Sequence, residues 1–193
     1  RQPGLNRLNP PVVLLDVGPV LAGGRLVPCG LVADPVLSYG SHAYWMTMPY
    51  LEPYLMRSVR AAMAEVEDPA LKEEMARFCA QEGQHFQQHA RVNEVLRRSN
   101  PRFASLAVIE AELDADYRRF TAERDHAFNL AYAEAFECMT MAMSRTQMEM
   151  RVHEDMAPPI RDLFLGHITE EIEHRRVAFD AYQALLDRAA MLL

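Results

Sequence analysis

The sequence predicts an all-α fold, a four-helix bundle, and three observations carry that expectation. Beyond residue 44, apolar residues recur at three- and four-residue spacing through long segments broken only at a few prolines. The stretch AQEGQHFQQH (80–89) sets Glu82, His85 and His89 three and four residues apart, on one helical face. The stretch HITEEIEH (167–174) repeats the arrangement, with Glu171 three residues before His174 and His167 one turn earlier. Two Glu-x-x-His helices, plus one Glu from each of two others, is the ligand set of carboxylate-bridged di-metal bundles. Glu52 is the candidate ahead of the first motif, and Glu137 or Glu134 the candidate between the two.

Residues 1–40 differ from everything that follows. They hold six of the eight glycines and half of the twelve prolines, which favours extended segments over helix. Apolar runs at 12–17 and 26–32 flank the turn-rich GPVLAGGR (18–25), so extended segments or a hairpin are expected there. The division is therefore an extended N-terminal arm over 1–40, packed on the bundle or a neighbouring subunit, and a helical bundle over 41–193.

The first helix is expected over 44–67, with Pro49 tolerated near its first turn and Leu55, Val59, Ala62 and Val66 in one stripe. Asp68 is the expected N-cap of the second helix, with Pro69 at its first position. That helix runs to about residue 98 and carries Met75, Phe78, Glu82, His85, Phe86, His89 and Val92. A carboxylate or imidazole on such an apolar stripe needs a partner. Asn100 and Pro101 end the helix. Residues 105–121 read as an amphipathic helix without a motif, the long crossover between the second and third helices of the bundle.

The third bundle helix spans about 123–152, with Ala133, Phe136, Glu137, Thr140 and Ser144 on one face. Residues 153–159 form a turn, and 159–190 a single last helix. With short turns between the first and second helices and between the third and fourth, the crossover leaves the second and fourth antiparallel. His89 and His167 then fall at the same end of the bundle, each about 8 Å from the centre of the site at 1.5 Å per residue, and should face one another.

Composition narrows the function. The net charge of −7 argues against a nucleic-acid partner or an anionic membrane surface. Four buried carboxylates would balance two divalent cations, whereas unpaired they would be costly to bury. No apolar run is long enough to span a bilayer, and the run at 12–15 is cut short by Asp16 and Pro19. Cys29, Cys79 and Cys138 are an odd, scattered set that fits a reduced cytoplasm and core packing rather than a disulfide framework. A cytoplasmic protein with no nucleic-acid or membrane partner is expected.

Several segments also carry a family resemblance: MPYLE (48–52), DPAL (68–71), FCAQEGQH (78–85) with His89 and Asn93, ECMT (137–140), and HITEEIEH (167–174) with VAFD (177–180). Over roughly 45–185 the chain resembles the bacterial "predicted metal-dependent hydrolase" family of the ferritin-like superfamily. It departs from that pattern at Leu51, where a Gly is usual, at Arg175 in place of Lys, and at Gly166 in place of Trp. The resemblance implies a ferritin-like bundle and selects Glu137 over Glu134.

Carboxylate and imidazole ligands without thiolates suit iron or manganese better than a structural zinc. Two iron ions are expected, with manganese or zinc as alternatives. Their ligands are Glu52, Glu82, His85, Glu137, Glu171 and His174, with His89 and His167 as further ligands or as donors to the carboxylates. Glu82 and Glu171 are the expected catalytic groups. The expected activity is an O2-activating oxidoreductase, supplied by an electron donor and acting on a small organic or acyl substrate. The alternatives are a hydrolase using a metal-activated water, and iron storage or metal handling; a homodimer is a further expectation.

Overall fold

The structure, a computed structural model, describes residues 21–22, 25–26, 40, 43–99, 101–156 and 158–191. Most of the expected arm lies outside these residues. Within it, β1 (Leu21–Ala22) pairs antiparallel with β2 (Arg25–Leu26), Leu21 opposite Leu26. The other described residues are mostly helical, joined by short turns and links. In chain order come α1 (Met48–Ala62), α2 (Pro69–Ser99), a 3₁₀ turn (Pro101–Ser105), α3 (Leu106–Glu123), α4 (His126–Glu149), a second 3₁₀ turn (Val152–Asp155), α5 (Pro158–His174) and α6 (Val177–Met191). The protein is all-α, and among the described residues no helix is long and apolar enough to cross a membrane.

The boundaries follow local chemistry. Residues 43–45 are helical, but a turn at 46–47 separates them from α1. Pro49 has no N–H to donate to the Trp45 carbonyl and its ring crowds that position, so the expected single helix from residue 44 is interrupted there. Asp68 caps α2 as expected, its Oδ1 accepting from the Ala70 amide at 2.9 Å. Asp125 caps α4, accepting from the Phe128 amide at 2.7 Å. After α4 the chain reverses through Arg151, whose φ of 56° lies in the left-handed region.

The single last helix expected over 159–190 is instead two. A turn at Arg175–Arg176 parts α5 from α6, although neither Gly nor Pro lies there. The Arg175 guanidinium donates to the Ile172 carbonyl at 2.5 Å, the acceptor that the Arg176 amide would use in an unbroken helix.

Helix α1 is buried along most of its length and packs on α2, α3, α4 and α6. The main core gathers Leu51, Tyr54, Leu55 and Val59 of α1 with Met75 and Phe78 of α2, Leu130 and Ala133 of α4, and Val177 and Ala181 of α6. A smaller cluster of Val152, Met156, Phe164 and Ile168 lies under the 3₁₀ turn and α5, and Trp45 packs against both. Helices α2 and α5 are antiparallel where they meet. Glu82 lies by His174, His85 by Glu171 and His89 by His167, so each step forward on α2 matches an equal step back on α5.

Candidate metal centre

All eight residues singled out from the sequence converge. Glu52 comes from α1, Glu82, His85 and His89 from α2, Glu137 from α4, and His167, Glu171 and His174 from α5; each is between 1% and 4% exposed. Helical period explains the convergence: on α2 and α5 the three- and four-residue spacings stack the three groups of each motif on the inward face. Glu134 is not part of the cluster; it is half-buried and accepts from the Cys138 thiol at 3.1 Å. Cys79 is buried in the core as a free thiol, and Cys138 is exposed.

Contacts within the cluster are close. His174 Nε2 lies 3.0 Å from Glu82 Oε1 and its Nδ1 3.4 Å from Glu137 Oε2. His167 Nε2 lies 2.7 Å from Glu171 Oε1. His89 Nε2 lies 3.1 Å from His167 Nδ1 and 3.7 Å from Glu52 Oε1, so the two extra imidazoles face one another. The rings of His85 and His167 stack at 4.1 Å. Among the described residues, no lysine or arginine pairs with any of the four carboxylates; their partners are imidazoles.

Four acids in so small a volume distort one another's protonation. Burial lifts the Glu52 carboxyl well above its ordinary range, and repulsion from Glu82 adds to this. Burial lifts Glu137 as well, and repulsion from Glu171 adds to this. Burial works the same way on Glu82, but the His174 and His85 imidazoles outweigh it and hold that carboxyl below its usual range. His167 does the same for Glu171. Conversely, burial opposes charge on His174, yet Glu137 and Glu82 raise it to about 10. His167 is pushed down by burial and by repulsion from His85.

The donor atoms remain incompletely satisfied. Both oxygens of Glu52, Oε2 of Glu137 and of Glu171, Oε1 of Glu82, Nδ1 of His85 and both ring nitrogens of His174 are buried without an aligned hydrogen bond. Native interiors rarely leave polar atoms so, and a cluster of them calls for a ligand. Two groups of donor atoms each lie within 4.8 Å of one another: Glu82, His85, Glu171 and His174, and Glu52, His85 and His167. Divalent cations there would take up the free oxygen and nitrogen lone pairs and supply the charge that protonated imidazoles otherwise provide. The residues fit a metal.

Sequence reasoning missed three neighbours. Glu170 Oε2 contacts His85 Nε2 at 2.5 Å. One residue from Glu171, it sits about 100° off the motif's stripe, so spacing could not find it. Trp45 stacks on His89 at 5.2 Å and meets His167 edge-on at 5.3 Å. Tyr44 bonds the Thr140 hydroxyl at 3.1 Å, and burial raises its phenol to about 12. Both aromatics precede α1 and fall ahead of the 55–66 apolar stripe, so periodicity does not select them; Thr140 was legible on the face of Glu137.

Fold and cluster together define an all-helical protein with a buried carboxylate–imidazole centre able to hold metal. A family model described as predicted metal-dependent hydrolase matches residues 31–192, most of the chain, and the protein belongs to that family. No curated protein and no solved structure matches it. The family's description agrees with the hydrolytic alternative and lends no support to the oxygen-activating reading.

Proposed function

We propose that the protein is a metal-dependent hydrolase of a small-molecule substrate, built on a ferritin-like bundle in which α1, α2, α4 and α5 each contribute to a two-metal centre. The observation that carries this reading is the set of unpartnered, buried oxygen and nitrogen atoms on four helices. Family membership supplies the reaction class. Glu52, Glu82, Glu137 and Glu171 would hold the ions with His85 and His174, and His89 and His167 complete the shell. Iron is the first candidate ion, with manganese and zinc as alternatives. Bound there, two divalent ions supply Lewis acidity and a water acidic enough to attack near neutral pH.

The chain's own groups then have distinct tasks. Glu171 keeps Oε1 on His167 Nε2 and leaves Oε2 free, an oxygen able to take a proton from water. Glu82, ionised through the pull of His174 and His85, holds negative charge at the centre. Phe78 closes the His174 end, its ring edge-on to the imidazole at 4.9 Å, and excludes water there.

The test is reconstitution. Metal-free protein loaded with zinc, manganese or iron is assayed on carboxylic and phosphate esters. Turnover is expected with at least one metal, lost in Glu171→Ala and retained in Glu173→Ala, since Glu173 lies on the exposed face and takes the Gln81 amide. If no metal form cleaves esters while the iron form consumes O2 on exposure to air, hydrolysis is wrong and the oxidative chemistry is right.

A further inference from the structure

We propose that the two ion positions are chemically unequal, one rich in carboxylates and the other rich in imidazoles, and that the imidazole-rich position takes the softer ion. This rests on the two-metal reading above and adds to it which residues make each half.

The division is visible in the contacts. Toward one end, His174 is flanked by Glu82 and Glu137, with Glu171 in the same group of donor atoms. That half offers three carboxylates and one imidazole. Toward the other end, Glu52 is the only carboxylate grouped with His85 and His167. His89 joins them, 3.7 Å from Glu52 Oε1 and 3.1 Å from His167 Nδ1. That half offers Glu52, the imidazoles of His89 and His167, and a share of Glu171, whose Oε1 lies 2.7 Å from His167 Nε2. His85 belongs to both groups and stands between them.

Ligand type sorts metals. Carboxylate oxygens suit manganese and other hard ions, whereas imidazoles suit zinc, with iron accepting either. An O-rich position next to an N-rich one should therefore fill in sequence with zinc and accept one ion each from a mixture of zinc and manganese.

Trp45 belongs to the imidazole-rich half alone. Its indole lies parallel to the His89 ring at 5.2 Å and edge-on to His167 at 5.3 Å, with Phe164 behind it at 6.1 Å. The segment carrying it is pinned to α2 by a 2.9 Å bond from the Asn93 amide to the Met46 carbonyl, and to α4 by the Tyr44–Thr140 hydroxyl contact. Trp45 is thus a positioning residue for the two imidazoles. As the only tryptophan in the chain, it is also a reporter of that half.

The experiment titrates chelator-stripped full-length protein with zinc and with manganese, followed by calorimetry and by Trp45 emission. Zinc is expected to bind in two steps at least tenfold apart, the first of which changes the emission. Manganese binds with little change in emission, and one equivalent of each gives a mixed-metal protein. His89→Ala and His167→Ala are each expected to lose the tight zinc step and keep the manganese step, at unchanged helicity. Trp45→Ala weakens the tight step about tenfold by calorimetry, and Trp45→Phe, which keeps a ring against His89, restores it to within about threefold. Two indistinguishable zinc sites, or histidine variants that keep both zinc steps or lose both metals together, overturn the inference and leave the two-metal reading standing. Wild-type protein that binds neither metal overturns both.

Discussion

Glu170 and His85 are joined across the α2–α5 contact, the carboxylate Oε2 standing 2.5 Å from the ring Nε2. The pairing places the ring's proton on Nε2 and leaves Nδ1, which has no aligned hydrogen bond, to face Glu82 at 3.5 Å and Glu171 at 3.9 Å. A carboxylate behind an imidazole fixes its tautomer and makes it the better metal donor. Replacing Glu170 with Gln should lower metal affinity by about tenfold while leaving helicity unchanged. Equal affinity in the variant, measured by calorimetry, would show that the ring is oriented by its packing alone.

Glu52 offers a test in which stability and metal binding move in opposite directions. Both its oxygens are buried without an aligned hydrogen bond, and neighbouring acids repel its charge. Without metal, the folded chain is better off with that carboxylate neutral. Glu52→Gln should stabilise the metal-free protein by about 1 kcal/mol in urea unfolding. The same change should reduce the further stabilisation that metal gives the wild type, removing the share that comes from the imidazole-rich position. A variant less stable than wild type without metal would mean that Glu52 is held by interactions other than a metal.

Much of this centre was legible because helical phase is a local property. The spacings 82–85–89 and 167–171–174 fix which groups share a face, and an antiparallel register then brings His89 to His167. What could not be read arises from tertiary contact or from backbone details below the resolution of periodicity. The break after His174, where the Arg175 guanidinium takes the Ile172 carbonyl, has no Gly or Pro to announce it. Trp45 reaches the centre from ahead of the apolar stripe that marks the first helix. Glu170 lies off its helix's stripe and is recruited only because α2 presents His85 opposite it.

Gly83 stands inside α2 between Glu82 and Gln84, and glycine in a helix interior costs about 0.5–1 kcal/mol relative to alanine. A methyl group there would meet only the Met56 sulfur, at 3.7 Å, an ordinary contact. Gly83→Ala should therefore raise stability by about that amount with metal stoichiometry unchanged. Loss of metal from this variant would indicate that the centre needs α2 to flex at Gly83.

Alkaline pH tests the core that holds α1 in place. Tyr54 is fully buried, donates its hydroxyl to Asn129 Oδ1 at 2.8 Å and stacks on Tyr117 at 5.1 Å. Burial raises its phenol from the ordinary 10 to about 12. Because the folded state holds that proton more tightly than the unfolded chain, the associated stability is complete below pH 10. It is lost as pH climbs from 10 through 12. Tyr44 and Tyr117 are shifted in the same direction and add to the slope. Tyr54→Phe keeps the ring but leaves Asn129 Oδ1 without that donor, so it should cost about 1 kcal/mol at pH 8. Between pH 10 and 12 the variant should lose stability less steeply than wild type, and the two curves should converge. Unfolding free energies from urea titrations at pH 8, 10, 11 and 12 measure both effects, and parallel curves would exclude Tyr54 as a source of the alkaline loss.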